Sequence, residues 1–347
     1  MKRHLLFLAA LLIVNLAASA QKKFSVYAVG FYNQENLFDT CHDEGKKDYE
    51  YLPNKGWNGM KYTNKLRNMS KALADMGTDV LPNVGCAFIG LSEVENHKVL
   101  DALVDQAPLK ARNMKYVHIE GPDRRGIDCA LLYNPSLFSV KNVKLLPYVQ
   151  ELEKDSAFFT RGFLTVRGEM AGDDVAVIVC HWPSRFSGPF YRESAARQVK
   201  VIKDSLLNVN QEMKIFVMGD MNDDPVNKSM HVYLQAKPEI SQVGAGDMYN
   251  PWYNVLAKEG KGTLFYSGNW NLFDQIVITP NLLNKDAKKK DYSSLKYWKS
   301  HIFRRDYLIQ QEGQYKGAPL RTTAGGRWLN GYSDHLPVVM YLVKEKK

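Results

Sequence analysis

Seven residues, Glu93, His181, Asp220, Asn222, Asp274, Asp334 and His335, lie where apolar runs begin or end. Glu93 follows Phe88-Ile89-Gly90-Leu91-Ser92, and His181 follows Val177-Ile178-Val179-Cys180. Asp220 and Asn222 follow Phe216-Val217-Met218-Gly219. Asp274 precedes Ile276-Val277-Ile278, and Asp334-His335 precede Val338-Val339-Met340. Such runs read as buried strands, and the polar ends of several strands can converge on one rim. Carboxylates gathered there repel one another unless a cation joins them. Hard cations such as magnesium and calcium prefer oxygen donors, and a metal so held can stabilise charge on a phosphoryl group. Two histidines add an acid, a base or a phosphate donor. Zinc is disfavoured, since the chain has neither HExxH nor CxxC spacing.

The elements that would position these residues alternate in type. Strands are expected at Phe24–Phe31, Cys86–Leu91, Tyr116–Ile119, Cys129–Tyr133, Phe163–Glu169, Val175–Cys180, Ile215–Met218, Gln275–Thr279 and Leu336–Leu342. Helices are expected at Tyr62–Met76, Lys98–Gln106 and Tyr191–Asn208. The turn Ala171-Gly172-Asp173-Asp174 reads as a hairpin. Pure strand–helix alternation would give one parallel sheet. Hairpins argue for mixed sheets, so the expected fold is α/β: two mixed sheets packed face to face with helices outside.

Of 347 residues, 45% are hydrophobic, ample for a large core. Lys2-Arg3, the apolar run Leu5–Leu16 and Ala18-Ser19-Ala20 read as a signal peptide, residues 1–20. Residues 21–347 then form a single exported catalytic domain, periplasmic or secreted, with no stable membrane insertion. The formal charge of +9 falls to +7 once Lys2 and Arg3 are removed. That excess favours a polyanionic substrate. Cys86, Cys129 and Cys180 lie in apolar runs and read as buried free thiols. Nothing marks an obligate protein partner.

Asn33-Gln34-Glu35-Asn36, Leu91-Ser92-Glu93, His181-Trp182-Pro183-Ser184-Arg185, Gly219-Asp220-Met221-Asn222 and Ser333-Asp334-His335 together resemble the endonuclease/exonuclease/phosphatase superfamily. The motifs occur in the family's order from Asn33 to Pro337. The resemblance implies a four-layer α/β sandwich and metal-dependent phosphodiester hydrolysis, with Mg²⁺ or Mn²⁺, or else Ca²⁺, as the cofactor. It makes Glu93 the metal-ligating glutamate, and Asn33 a residue that helps position the metal and catalytic groups. Asp220 would activate the attacking water. Asn222 and His181 would contact the phosphate, and Asp274 would open a late strand. Asp334 would orient the His335 imidazole and add to the metal set. Glu35 reads as a second metal contact or a network residue, and Arg185, Arg125 and Tyr133 as phosphate contacts. His42, His97, His118, His231 and His301 match no motif.

A nuclease is the leading substrate reading, given the charge. The alternatives are a phosphatase or phosphodiesterase for lipid or sugar phosphates and, last, a non-catalytic binding protein on the same scaffold. Thr160-Arg161-Gly162-Phe163 matches no motif.

Overall fold

The computed structural model describes residues 23–151, 158–286 and 288–346. The signal peptide expected at residues 1–20 lies outside the described residues. In chain order the first strands are β1 (Phe24–Leu37), β2 (Cys86–Val94), β3 (Lys115–His118), β4 (Asp128–Tyr133) and β5 (Phe138–Leu146). Then come β6 (Phe163–Met170), β7 (Asp173–His181), β8 (Lys214–Asp220), β9 (Ala236–Lys237) and β10 (Met248–Tyr249). The hairpin β11 (Leu264–Tyr266) and β12 (Asn269–Asn271) precedes β13 (Asp274–Ile278) and β14 (Lys296–Ile302). A second hairpin, β15 (Thr323–Ala324) and β16 (Arg327–Trp328), precedes β17 (Val338–Glu345).

Two sheets carry the architecture. One has six strands in the order β14-β17-β1-β2-β4-β3, and the other has seven in the order β5-β6-β7-β8-β13-β10-β9. Both are mixed: β1–β2 and β7–β8 pair in parallel, whereas β1–β17, β6–β7 and β8–β13 pair antiparallel. The fold is therefore the expected one.

Each layer follows from the two-residue period of a strand. In β8, Phe216 and Met218 face the other sheet, where they pack with Phe31, Phe88 and Val338. The intervening Ile215 and Val217 face outward onto Ala195, Ala196 and Val199 of the helix Pro189–Val209. On the far side, Ile89 and Leu91 of β2 pack against Leu66, Met69 and Leu73 of the helix Gly59–Asp75. Each large apolar side chain so buried contributes about 1.5–3 kcal/mol.

Element boundaries moved for local reasons. The first helix begins at Gly59 because the Asn58 side chain accepts from the Lys61 N–H and caps it. The long helix begins at Pro189, which tolerates the first helical turn. The helix expected at Lys98–Gln106 is instead two, His97–Val104 and Ala107–Ala111, with Gln106 extended between them. Strands β5 and β14, absent from the sequence reading, stand at sheet edges and carry exposed lysines.

Candidate active site

Three neighbouring strands set the floor of the site. His181, the last residue of β7, pairs in register with Asp220, the last of β8, and Asp220 pairs with Asp274, the first of β13. The three residues thus share one level at one end of the sheet. Gly219 makes this close approach possible: a Cβ there would lie 2.2 Å from the Cys180 carbonyl oxygen. Asn33 of β1 and Ser92 of β2 pair at the corresponding end of the other sheet.

Both strands of that second sheet bulge at the site. The β1–β2 register shifts between Asn33 and Leu37, and the β2–β4 register shifts between Ser92 and Val94. Bulges re-aim side chains. Glu35, Asn36 and Glu93 accordingly take positive φ values of 45°, 56° and 61°, and Asn222 takes 48°. Non-glycine residues rarely adopt this region, and strain of this kind gathers at functional sites.

The side chains converge. His335 Nδ1 lies 2.6 Å from Asp274 Oδ2, and its Nε2 lies 3.8 Å from Asp220 Oδ2. Asn33 Nδ2 donates to Asp220 Oδ2 at 3.0 Å, and the Asn222 N–H donates to Asp220 Oδ1 at 2.9 Å. His181 Nε2 bridges the two sheets, at 3.7 Å from Asp220 Oδ2 and 3.8 Å from Glu93 Oε1. Glu93 Oε2 is fixed by the Asn36 N–H at 2.9 Å. His181, Asp220, Asp274 and His335 are all buried.

Burial and charge set the protonation states. Burial works against a charged His335, yet Asp274 and Asp220 outweigh it and hold the ring protonated well above its ordinary range. For His181, burial comes first and Arg161, Arg125 and His335 add to it, so the imidazole stays neutral. Burial also raises Asp220, with the His335 charge opposing. The two histidines therefore differ: His335 is a cation and His181 a neutral ring.

Several sequence expectations need correction. Asp274, not Asp334, orients His335. Asp334 lies 4.0 Å from Nε2 and is paired with Arg321 Nη2 at 3.0 Å. The Asn33 side chain is engaged at both ends, since its Oδ1 accepts from the Glu35 N–H at 2.8 Å, so it positions Asp220 rather than offering a free ligand. Glu35 acts as a network residue: its carboxylate takes the Thr322 N–H at 2.6 Å and Arg321 Nε at 3.5 Å. Tyr133 does not join the site. It pairs with Phe88 and Lys115 at the other end of β4 and packs edge-on against Phe138. Arg185 sits on the rim, committed to Asp224, Asn271 and the Asn222 carbonyl. Arg125 donates to Asn36 Oδ1.

Two cations were missed. Arg161 reaches Asp123 at 2.9 Å and the Trp182 carbonyl at 3.1 Å, the same carbonyl that takes Asn222 Nδ2 at 2.9 Å. Lys65, fully buried within a helix, donates to Thr322 Oγ1 and the Tyr332 carbonyl, both at 2.5 Å. Arg161 had no motif, and Lys65 carried no sequence signal, because its partners are more than 250 residues away.

The donor set suits a hard divalent cation. Asp274 Oδ1 is buried without a hydrogen-bond partner, and Glu35 is raised by burial and then by the charge of Asp334. Asp220, Asp274 and His335 offer atoms within 4.8 Å of one another. A protonated imidazole cannot ligate a metal, however. Glu93 and Asp334, with side chains 15% and 23% exposed, are the carboxylates beside this cluster that are open to solvent.

The profile of the Endonuclease/Exonuclease/phosphatase family matches residues 28–344, and the chain belongs to that family. Its members are divalent-metal-dependent phosphoesterases, so the chain is a phosphoesterase by class. No curated protein sequence matches it. Among solved structures, a family protein from Bacteroides thetaiotaomicron is similar at 14% identity and TM-score 0.54, over 93% of this chain and 97% of that one. A mannosyl-6-phosphatase from the same organism is similar at 14% identity and TM-score 0.53, over 91% and 99%. D. rerio TDP2, complexed with single strand DNA product, is similar at 11% identity and TM-score 0.53, over 92% and 99%. These likenesses concern the fold.

Proposed function

We propose that the chain is an exported phosphodiester hydrolase acting on nucleic acid. The observation that carries the chemistry is the buried line Asp274–His335–Asp220, which His181 links to Glu93. Asp220, raised by burial, is the base that orients and deprotonates water, and Asn33 and the Asn222 N–H fix its two oxygens. His335, kept cationic by Asp274, neutralises charge on the phosphate oxygens as the bond to the leaving group breaks. Neutral His181 and Asn222 hydrogen-bond the phosphate. Glu93, with Asp334, would hold Mg²⁺ or Mn²⁺, which supplies charge neutralisation at the phosphate and leaving oxygen. The excess of basic residues favours a polyanion, and TDP2, which shares the fold, is known with a DNA product.

The experiment is hydrolysis of a generic phosphodiester and of single- and double-stranded nucleic acids, alongside phospholipid head groups and sugar phosphates. Turnover should vanish in excess chelator and fall at least about 10³-fold in Asp220→Ala. Full activity under either condition ends the proposal. Preference for a sugar or lipid phosphate would move the substrate to the second reading. Cell fractionation tests export: the mature amino terminus should lie near Gln21, outside the cytoplasm.

A further inference from the structure

Beside the cleft lies a second cavity of about 240 Å³, bounded by Tyr51, Lys55, Trp57, Lys61, Thr323 and Gly326. It shares Glu35 and Asn36 with the candidate active site, and the Asn36 N–H is the group that fixes Glu93. Its occupant would therefore adjoin the scissile phosphate.

The walls are built rather than incidental. Tyr51 stacks on Phe38 at 4.1 Å with a 4° interplanar angle, and Trp57 meets Tyr51 edge-on at 5.8 Å. Trp57 is buried, held by its indole N–H donating to the Phe38 carbonyl at 3.2 Å. Trp328, on β16, closes the aromatic run 5.7 Å from Trp57. The β15–β16 hairpin forms a lip, and its tip, Gly325-Gly326, has φ values of 55° and 74° with open space around both. Aromatic faces of this kind pack against the C–H faces of a ring.

The polar groups specify more. Lys61 Nζ lies 5.7 Å from the Trp328 ring, and Lys55, which also lines the cavity, is exposed. Among the described residues, neither ammonium has a carboxylate within salt-bridge reach. Two ammonium groups free of carboxylates, in a cavity with aromatic walls, suit an anion carried on a ring. Glu50 and Thr323 supply acceptors and a donor for ring hydroxyls. The volume of about 240 Å³ is of the size of one sugar ring with its phosphate.

We propose that this cavity binds a phosphorylated sugar ring attached to the scissile phosphate, with Lys55 and Lys61 on its phosphate, Tyr51 and Trp57 against the ring, and Trp328 supporting Lys61 and Trp57 from behind. The substrate would then be cut next to a phosphorylated end. This rests on reading the neighbouring cleft as a phosphodiesterase site. The ring has two possible sources, the terminal nucleotide of a nucleic acid or a sugar phosphate that carries a second, scissile phosphate, which share this chemistry.

Calorimetric titration of the full chain in excess chelator tests binding with the metal-dependent cleft silent. The probes are ribose 5-phosphate, mannose 6-phosphate, ribose, mannose and inorganic phosphate. One of the two sugar phosphates should bind at least about tenfold more tightly than its parent sugar and than inorganic phosphate. A preference for ribose 5-phosphate points to nucleic-acid ends, and a preference for mannose 6-phosphate to a sugar phosphate. Lys55→Met/Lys61→Met, both at solvent-accessible positions, should remove that gain, and Trp328→Phe should reduce it while a far-ultraviolet spectrum shows both variants folded. Equal affinity for inorganic phosphate, or an unchanged gain in the lysine variant, overturns the proposal. Because this titration needs no turnover, failure of the metal-bound enzyme to hydrolyse any phosphodiester would count against the cleft assignment alone.

Discussion

His335 Nδ1 meets Asp274 Oδ2 at 2.6 Å across 61 residues of chain, while the adjacent Asp334 turns away to Arg321. The contact joins the first residue of β13 to the segment leading into β17. It is the main reason the ring keeps its proton despite being buried.

Asp274→Asn should therefore lower kcat/KM by about 10²–10⁴-fold, the range for disabling an oriented acid–base partner. The sign of the pH effect follows. His335 is needed as a cation, and its pKa is raised by Asp274, so activity falls as pH rises through that value. In the variant the alkaline limb should move to lower pH. A kcat/KM profile from pH 5 to 10 checks this, and a limb that stays in place rejects His335 as the group responsible.

Arg161 holds the Trp182 carbonyl beside His181 and contributes to keeping that ring neutral. Arg161→Met should reduce kcat by about 10–100-fold and raise the His181 pKa toward its ordinary value. Arg161→Lys should recover little, because a point ammonium cannot span both Asp123 and Trp182. Steady-state kinetics and histidine NMR titration measure the two effects.

Lys65→Met should leave the helix Gly59–Asp75 folded, since the Met chain fills much of the same volume. The loss falls on the segment carrying Thr322, which in turn holds Glu35. The concentration of Mg²⁺ giving half-maximal activity should rise about tenfold, with a much smaller change in kcat at saturating metal. An unchanged metal requirement removes this role.

Glu95 provides a test of stability. Burial, then the charges of Asp39, Asp43 and Asp48, push its carboxyl up to about 8 against the opposing Asp39 N–H bond. A carboxyl raised on folding binds more protons in the native state. Its contribution is thus complete below its ordinary range near 4.5 and disappears as pH rises through about 8. Glu95→Gln should match the wild type at pH 4.5 and become the more stable protein by pH 8. Denaturant unfolding at both pH values in chelator measures it, and a gap that does not widen with pH contradicts it.

What the sequence disclosed follows from where its information is local. Inner strands such as β7 and β8 are short continuous apolar runs, so their polar ends stood out as site candidates. The edge strands β5 and β14 intersperse lysine and other polar residues among the apolar ones and lack that contrast. Adjacency in the chain favours Asp334 as the partner of His335, but Asp334 sits in a bend and pairs with Arg321, while Asp274 reaches the ring from another strand. Tyr133 was misplaced because strand membership alone does not say which end of the sheet a residue occupies. Arg161 and Lys65 act on partners distant in the chain, among them backbone carbonyls, which carry no residue-type signal.

His181, Asp220 and Asp274 stand side by side at one level of three adjacent interior strands, with further strands on either side. Catalytic alignment and the slowest-exchanging amides should therefore reside in the same hydrogen bonds. Heating ought to abolish turnover only when the sandwich itself melts. Diversification of such a scaffold is confined to its loops, which can alter what is bound without disturbing how it is cleaved.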